Sequence, residues 1–485
     1  MRFNIPIIIN LLGSLLIMNG IFMLSCLIVS IIYDEDILIG LGLAGAITLC
    51  IGFTAWIATR FTSNKNIRKR DGYLIVTMGW LIMSIFGALP YFFTGSIPDF
   101  TNAFFETISG YTTTGATILT DIEVLPKGIL FWRSLTHWIG GMGIIVLTVA
   151  ILPLLGIGGM QLFVAESPGV SPDKLHPRIT ETAKRLWFVY VALTAGETVL
   201  LFFAGMNWFD AINHSMSTMA TGGFSTKNAS IAYYTSPAIH YIIILFMFLA
   251  GTNFTLMYFG FKRTYSKVFR NEEFRWYFIT SLSLIILVAA GVYYFTSKDL
   301  ELSFRDAAFQ VVSIITTTGF ITADYTAWSP VLTFVFFIMF FIGGSTGSTA
   351  GGIKMMRHVV LAKNSILELK RQLHPSAIIP VRFNGRAVPL GITFNITAFI
   401  LIYLLFFFLG SLFMSLLGLD FASAIGSVTA TLGNIGPGLG AVGPVENYSE
   451  IPVLGKWFLS FLMLLGRLEL FTVLILFMPY FWVRR

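Results

Sequence analysis

Of the chain's 485 residues 56% are apolar and only 11% charged, less than half of the roughly 25% charged residues of ordinary globular domains. Apolar runs of about 20 residues, long enough to cross a hydrocarbon core, recur from end to end, which excludes a soluble domain and predicts an all-α polytopic membrane protein. The formal charge of +7 raises nucleic acid as a partner, but the placement of the bases described below gives them a topological role instead.

In chain order, residues 1–72 read as an added hairpin of two spans, 7–32 and 37–58, joined by the acidic turn Asp34-Glu35-Asp36. Its cysteines, Cys26 and Cys50, lie in these spans and offer neither a disulfide framework nor metal-ligand spacing. Four units follow, at 73–182, 183–274, 275–387 and 388–485, each reading as a span, a short inner segment and a second span. The first spans are expected at 73–93, 186–205, 276–295 and 388–417. The second are expected at 130–155, 239–261, 331–361 and 457–482.

Each inner segment carries one frame without gaps: an Asx residue, then Ser seven, Thr eleven and Gly thirteen positions later. Asn102, Ser109, Thr113 and Gly115 fill it, as do Asp210, Ser217, Thr221 and Gly223. Asp306, Ser313, Thr317 and Gly319 fill it again, and so do Asp420, Ser427, Thr431 and Gly433. Asn102, Asp210, Asp306 and Asp420 are expected to cap the helices, accepting bonds from early backbone N–H groups. About ten helical residues rise roughly 15 Å, half of an apolar core of roughly 30 Å, and Thr and Gly must then turn the chain back. Non-helical backbone at that depth is tolerated only where it packs in protein or lines water, so four such turns are expected to meet on one axis.

There, helix C-termini favour a cation, glycine allows successive carbonyls to face the same way, and carbonyl rings replace a potassium ion's water shell. The candidate filter is therefore Thr112, Thr113, Thr114 and Gly115, with Ala220, Thr221, Gly222 and Gly223. To these are added Thr316, Thr317, Thr318 and Gly319, and Ala430, Thr431, Leu432 and Gly433. With each unit crossing, dipping and crossing again, the between-unit face and the termini hold 24 of the 31 Lys and Arg residues. The positive-inside rule then places both termini in the cytoplasm.

Two interruptions lie in the expected spans. Gly343, Gly344, Ser345, Thr346, Gly347, Ser348, Thr349, Ala350, Gly351 and Gly352 form a run with five glycines, each costing a helix about 1 kcal/mol against alanine. A phosphate-binding loop would need Gly-Lys adjacent, and Ile353 separates Gly352 from Lys354. The run is expected to be an unwound intramembrane segment below the filter, with close helix packing as the alternative. Arg467 lies about 16 Å into the last span, where a charge needs water or a partner; Glu469 points away, and Glu197 is the candidate salt-bridge mate. The six histidines show no metal spacing, and His214 is expected to be a packed polar group.

Each unit resembles the membrane–pore–membrane unit of potassium channels. Four in one chain, with Thr113-Thr114-Gly115 and its counterparts, resemble the Trk/Ktr/HKT superfamily of potassium transporters, and the added hairpin is most similar to the bacterial TrkH-type subunits. The resemblance implies a potassium-permeable homodimer in the inner membrane, one pore per chain. It also implies a gate at residues 343–352 with Arg467 as a fixed positive charge beside it. Control would come from a cytoplasmic TrkA-type nucleotide-binding ring, with no nucleotide on this chain itself. Gly115, where sodium-preferring plant members carry Ser, favours potassium, whereas Leu432 and Asn434 around Gly433 depart from a strict potassium-channel signature. A proton- or sodium-coupled symporter using Glu197 is the competing expectation.

Overall fold

The computed structural model describes residues 3–61, 68–146 and 175–483. Among them six helices are long and apolar enough to cross a membrane: Ile5–Ile32, Leu38–Thr59, Lys69–Phe93, Thr182–Phe203, Glu272–Phe295 and Leu390–Leu416. Two further apolar pairs, Pro237–Ala250 with Phe254–Phe261 and Val453–Arg467 with Phe471–Phe477, are bent by 111° at a short break. The chain is a multi-pass helical membrane protein. A two-residue β-hairpin, Arg382–Phe383 against Arg386–Ala387, joins the third unit to the fourth.

The expected spans match the helices to within a few residues at most ends, though the second begins earlier, at Leu175. The end of the 130–155 span and residues 62–67, between the second span and the third, lie outside the described residues. The first two helices pack closely because glycines face each other: a Cβ on Gly13 would meet the Gly52 carbonyl at 2.8 Å, and one on Gly52 the Gly13 carbonyl at 2.9 Å. Along Leu390–Leu416, Phe394, Leu401, Leu405, Phe408, Leu412 and Leu416 are all exposed. Their spacing of three, four and seven puts them on one helix face, suited to lipid.

The second spans are where expectation and structure part. The 239–261 and 457–482 spans read as continuous, yet both break. Gly251-Thr252-Asn253 interrupts the first, and Asn253 caps the new helix by accepting from the Thr255 amide. Glu469 and Leu470, both at positive φ, interrupt the second. Between Pro330–Met339 and Met355–Leu373 the chain is non-helical, as five glycines in ten residues require.

Four short helices, Phe100–Tyr111, Trp208–Ala220, Leu300–Ile315 and Phe421–Leu432, lie inside this frame. Twelve residues rise about 18 Å, which is half a crossing. The buried apolar residues cluster between consecutive units. One cluster joins the second and third, one the third and fourth, and the largest joins the fourth back to the first. Trp138 and Met142 of the first pack against the second unit's own cluster, so the cores close on themselves around the four short helices.

Candidate functional site

In the first two short helices the cap lies one turn before the residue the frame chose, in the third two turns before it, and in the fourth the frame's residue is the cap. Asp99 caps the first helix by accepting from the Asn102 amide at 2.8 Å, and Asn207 caps the second by accepting from the Asp210 amide at 2.8 Å. Asn102 and Asp210 sit inside the first turn, and their side chains hold neighbours instead. Asn102 accepts from Lys456 Nζ at 2.8 Å, and Asp210 accepts from Thr226 and Tyr234 hydroxyls at 2.6 and 2.7 Å. The third helix starts at Leu300, so Asp306 lies two turns in and pairs with Lys298 at 2.6 Å. Asp420 is a cap, accepting from the Ala422 and Ser423 amides. Bonds from Ser423 and Ala422 hold its exposed carboxyl below the usual aspartate range.

Beyond the helices, the turns come together in cyclic order. A Cβ on Gly115 would run into the Gly222 carbonyl, one on Gly223 into that of Thr318, one on Gly319 into that of Ile435, and one on Gly436 into that of Thr114. Each turn therefore touches the next, and the fourth touches the first. All four glycines have positive φ, between 78° and 97°. So do Thr113, Thr221, Thr317 and Asn434, at 51° to 55°, a conformation that costs a β-branched residue about 1–3 kcal/mol. Alternating such residues with right-handed or extended ones aims successive carbonyls to one side.

This geometry corrects the fourth turn. The helix-closing bonds Thr114 N to Ser109 O, Gly222 N to Ser217 O and Thr318 N to Ser313 O have as their counterpart Ile435 N to Ala430 O. Ala430, Thr431 and Leu432 are thus the last turn of the helix, and Gly433 is its C-cap. The fourth strand is Gly433-Asn434-Ile435-Gly436, three residues later than the frame predicts. The frame fitted there because it took the cap Asp420 for the in-helix position that Ser423 occupies. A signal was available: an aromatic follows the true cap at Asp99-Phe100, Asn207-Trp208 and Asp420-Phe421, with Ser303-Phe304 in the third helix.

Behind the ring, threonines brace the backbone. Thr112 and Thr316 donate to helix carbonyls at 2.6 and 2.7 Å and pair with the Thr114 and Thr318 hydroxyls. Sequence reasoning missed a stronger brace. Glu106, fully buried, accepts from Arg133 Nε at 2.6 Å, from Thr117 Oγ1 and from the Ile118 amide, both at 3.0 Å. Arg133 also donates to the Ser225 carbonyl at 2.8 Å and lies 3.7 Å above the Phe224 ring. One ion pair thus ties the first turn to the second. His214 and Gln310, at the equivalent helix position, do the same within their own turns through Ser225 and Thr322.

On the opposite side of the ring from the glycines' open mouth lies the 343–352 loop. It is pinched at its base by Gly343 N to Ile353 O and Met355 N to Gly344 O, at 2.9 and 3.0 Å. Ser345 donates to the Gly251 carbonyl and Thr349 Oγ1 to the Met219 and Ala250 carbonyls, so the loop sits on the broken second span of the second unit. Glu273 accepts from the Thr346 and Met356 amides at 2.6 and 3.2 Å. Gly351 N–H donates to Thr317 Oγ1 at 2.6 Å, directly under the ring. Arg467, 2% exposed, donates to the Thr349 carbonyl at 2.7 Å and to the Gly140 carbonyl at 3.3 Å. Its partners are backbone carbonyls, not Glu197. Glu469 pairs with Arg357 instead.

The cation transport protein family TrkH matches residues 42–482. The chain belongs to the TrkH family. It is 41% identical over 482 residues to the Trk system potassium uptake protein TrkH of Halomonas elongata, covering 99% of both chains. It is 44% identical to the protein of that name from Escherichia coli K12, covering 90% of both. The crystal structure of the potassium transporter TrkH from Vibrio parahaemolyticus superposes with a TM-score of 0.91 at 37% identity, over 99% of this chain and 100% of that one. TrkH-family proteins are transporters, not enzymes, and among the described residues no three His, Cys, Asp or Glu groups gather as metal ligands.

Proposed function

We propose that this chain is the pore-forming subunit of a potassium uptake system, with four membrane–pore–membrane units around one pseudo-fourfold axis. The observation that carries the reading is the closed ring, in which each filter glycine abuts the carbonyl of the next turn. Carbonyl rings stripped of competing donors exchange for a potassium ion's hydration shell, and four helix C-termini add partial negative charge. The filter is Thr112 to Gly115, Ala220 to Gly223, Thr316 to Gly319 and Gly433 to Gly436. Asn434 in place of a fourth threonine makes it less symmetric than a homotetrameric potassium channel.

The 343–352 loop is the gate, and Arg467 is the fixed charge that both repels a cation and holds the loop shut. The chain works as a homodimer in the bacterial inner membrane, with both termini cytoplasmic, as the placement of its bases supports. A cytoplasmic TrkA-type ring supplies the nucleotide control, and nucleic acid has no part. The test is rubidium flux into liposomes holding the purified chain, with sodium as competitor and a pH gradient present or absent. Flux that follows only the rubidium gradient supports the pore. Uphill flux driven by protons or sodium would favour a symporter, a reading for which fully buried Glu197, in no ion pair among the described residues, is the specific motive.

A further inference from the structure

We infer that the loop closes the path by taking a ligand from the innermost cation site, so that loop and permeating cation compete for the same oxygens. The inference rests on the pore and gate reading above and adds a coupling to it.

Thr113, Thr221, Thr317 and Asn434 hold the same left-handed position in the four turns. They immediately precede Thr114, Gly222, Thr318 and Ile435, whose carbonyls meet the filter glycines. We assign their side-chain oxygens to one layer on the loop side of those carbonyls, where Thr317 Oγ1 and Asn434 Oδ1 lie nearest the loop at Gly351. Thr113 Oγ1 and Asn434 Oδ1 are fully buried and accept no hydrogen bond among the described residues. The Asn434 amide is oriented by donating from Nδ2 to Thr114 Oγ1 and the Met463 carbonyl, both at 2.9 Å, which leaves the oxygen as the free end. Thr221 donates its proton to its neighbour's carbonyl, Ala220 O, leaving lone pairs unused. Buried oxygens left without a donor cost about 1–3 kcal/mol each unless something occupies them, and a desolvated monovalent cation suits hydroxyl and amide oxygens whose lone pairs are unused.

The fourth oxygen of the layer is not free. Thr317 Oγ1 accepts the Gly351 N–H at 2.6 Å. Gly351 is inserted between the third and fourth turns: a Cβ on it would lie 2.5 Å from the Gly433 carbonyl, 2.8 Å from Asn434 Cβ and 3.3 Å from Asn434 Oδ1. The closed loop thus presents a donor to a site built of acceptors. Two residues away, the Thr349 carbonyl is held by the Arg467 guanidinium, which adds a positive charge against the same site. By linkage, whatever factor the closed loop takes from the site's cation affinity is returned as a cation-driven bias toward opening. Potassium would be an opener of its own gate.

The test uses the full chain in detergent, titrated calorimetrically with KCl against a constant total of choline and potassium chloride, alongside rubidium flux in liposomes. A variant with residues 346–350 shortened, and separately Gly351→Ala, should bind potassium about three- to tenfold more tightly than the unaltered chain, the worth of roughly one net hydrogen bond. Thr317→Ser keeps the hydroxyl, so shortening the loop should still tighten its potassium binding, as in the unaltered chain. Thr317→Val should bind potassium equally with the loop intact or shortened. Equal affinity for intact and shortened loops, with rubidium flux raised by shortening, would overturn the competition and leave the gate. Tighter binding without added flux would keep the competition and remove the gate. Should Thr317→Val fail to fold, the Gly351→Ala comparison decides alone.

Discussion

Arg467 ends the helix Val453–Arg467, and its guanidinium reaches backbone carbonyls on two other units, Thr349 of the loop and Gly140 of the first. A buried cation held by neutral carbonyls and the Trp80 ring, with no carboxylate on it among the described residues, is costly, and it persists where its charge is wanted. Arg467→Ala is expected to raise resting rubidium flux severalfold in folded protein. Arg467→Lys should fall between, because one ammonium does not replace a planar fork reaching two carbonyls. An unchanged flux in Arg467→Ala would remove Arg467 from the gate. The Glu106–Arg133 pair makes a different prediction. Removing Arg133 alone leaves Glu106 buried and uncompensated, at about 3–5 kcal/mol, and also frees the Ser225 carbonyl behind the second turn. Arg133→Ala should therefore lower the unfolding midpoint and weaken discrimination between rubidium and sodium. Glu106→Gln with Arg133→Met should recover part of the stability without the selectivity, as measured by thermal melting and sodium competition.

At the scale of the element, the fourth turn separates two assignments that differ by three residues. Gly436 has φ of 97°, and a Cβ there would run into the Thr114 carbonyl, whereas Gly433 has an ordinary helix-cap conformation with φ of −79°. Gly436→Ala should lower the rubidium-to-sodium flux ratio by about tenfold or more, the loss of roughly 1.4 kcal/mol of discrimination, and Gly433→Ala by clearly less. The reverse order would restore the earlier register. The half-length helices, their Thr-Gly ends and the unwound 343–352 stretch were legible in the sequence, because each rests on a local rule: length against membrane thickness, glycine content, positive φ. The register of the fourth turn was not, since an Asx cap and an Asx in the first turn look alike until an N–H is seen pointing at one of them. The breaks at Gly251 and at Glu469-Leu470 were hidden for another reason. The first is supported by a partner distant in sequence, Ser345 donating to the Gly251 carbonyl, and the second by the Arg357–Glu469 pair, and no window of the chain displays such partners.

For the whole molecule, the loop's anchors define what must move. They come from every unit: Gly140 through Arg467 from the first, Met219, Ala250, Gly251 and Glu273 from the second, Thr317 from the third, Gly433 and Arg467 from the fourth. Below the loop, Met355–Leu373 is tied to the last span by Arg357–Glu469 and to the start of Glu272–Phe295 by Lys363–Glu272. A displacement of Met355–Leu373 would thus pull on the loop and on both ion pairs together. This arrangement argues for a pore in which ions run down their gradient once the loop moves. Glu197, fully buried in Thr182–Phe203 and in no ion pair among the described residues, is the candidate group for a proton-coupled cycle. Glu197→Gln preserves its shape and removes its charge, so gradient-driven rubidium flux should stay within about twofold of the unaltered chain, and an imposed pH gradient should move no rubidium uphill in either. Loss of proton-driven accumulation in Glu197→Gln, with passive flux retained, would make the carboxylate a coupling site and the loop one gate of an alternating-access cycle.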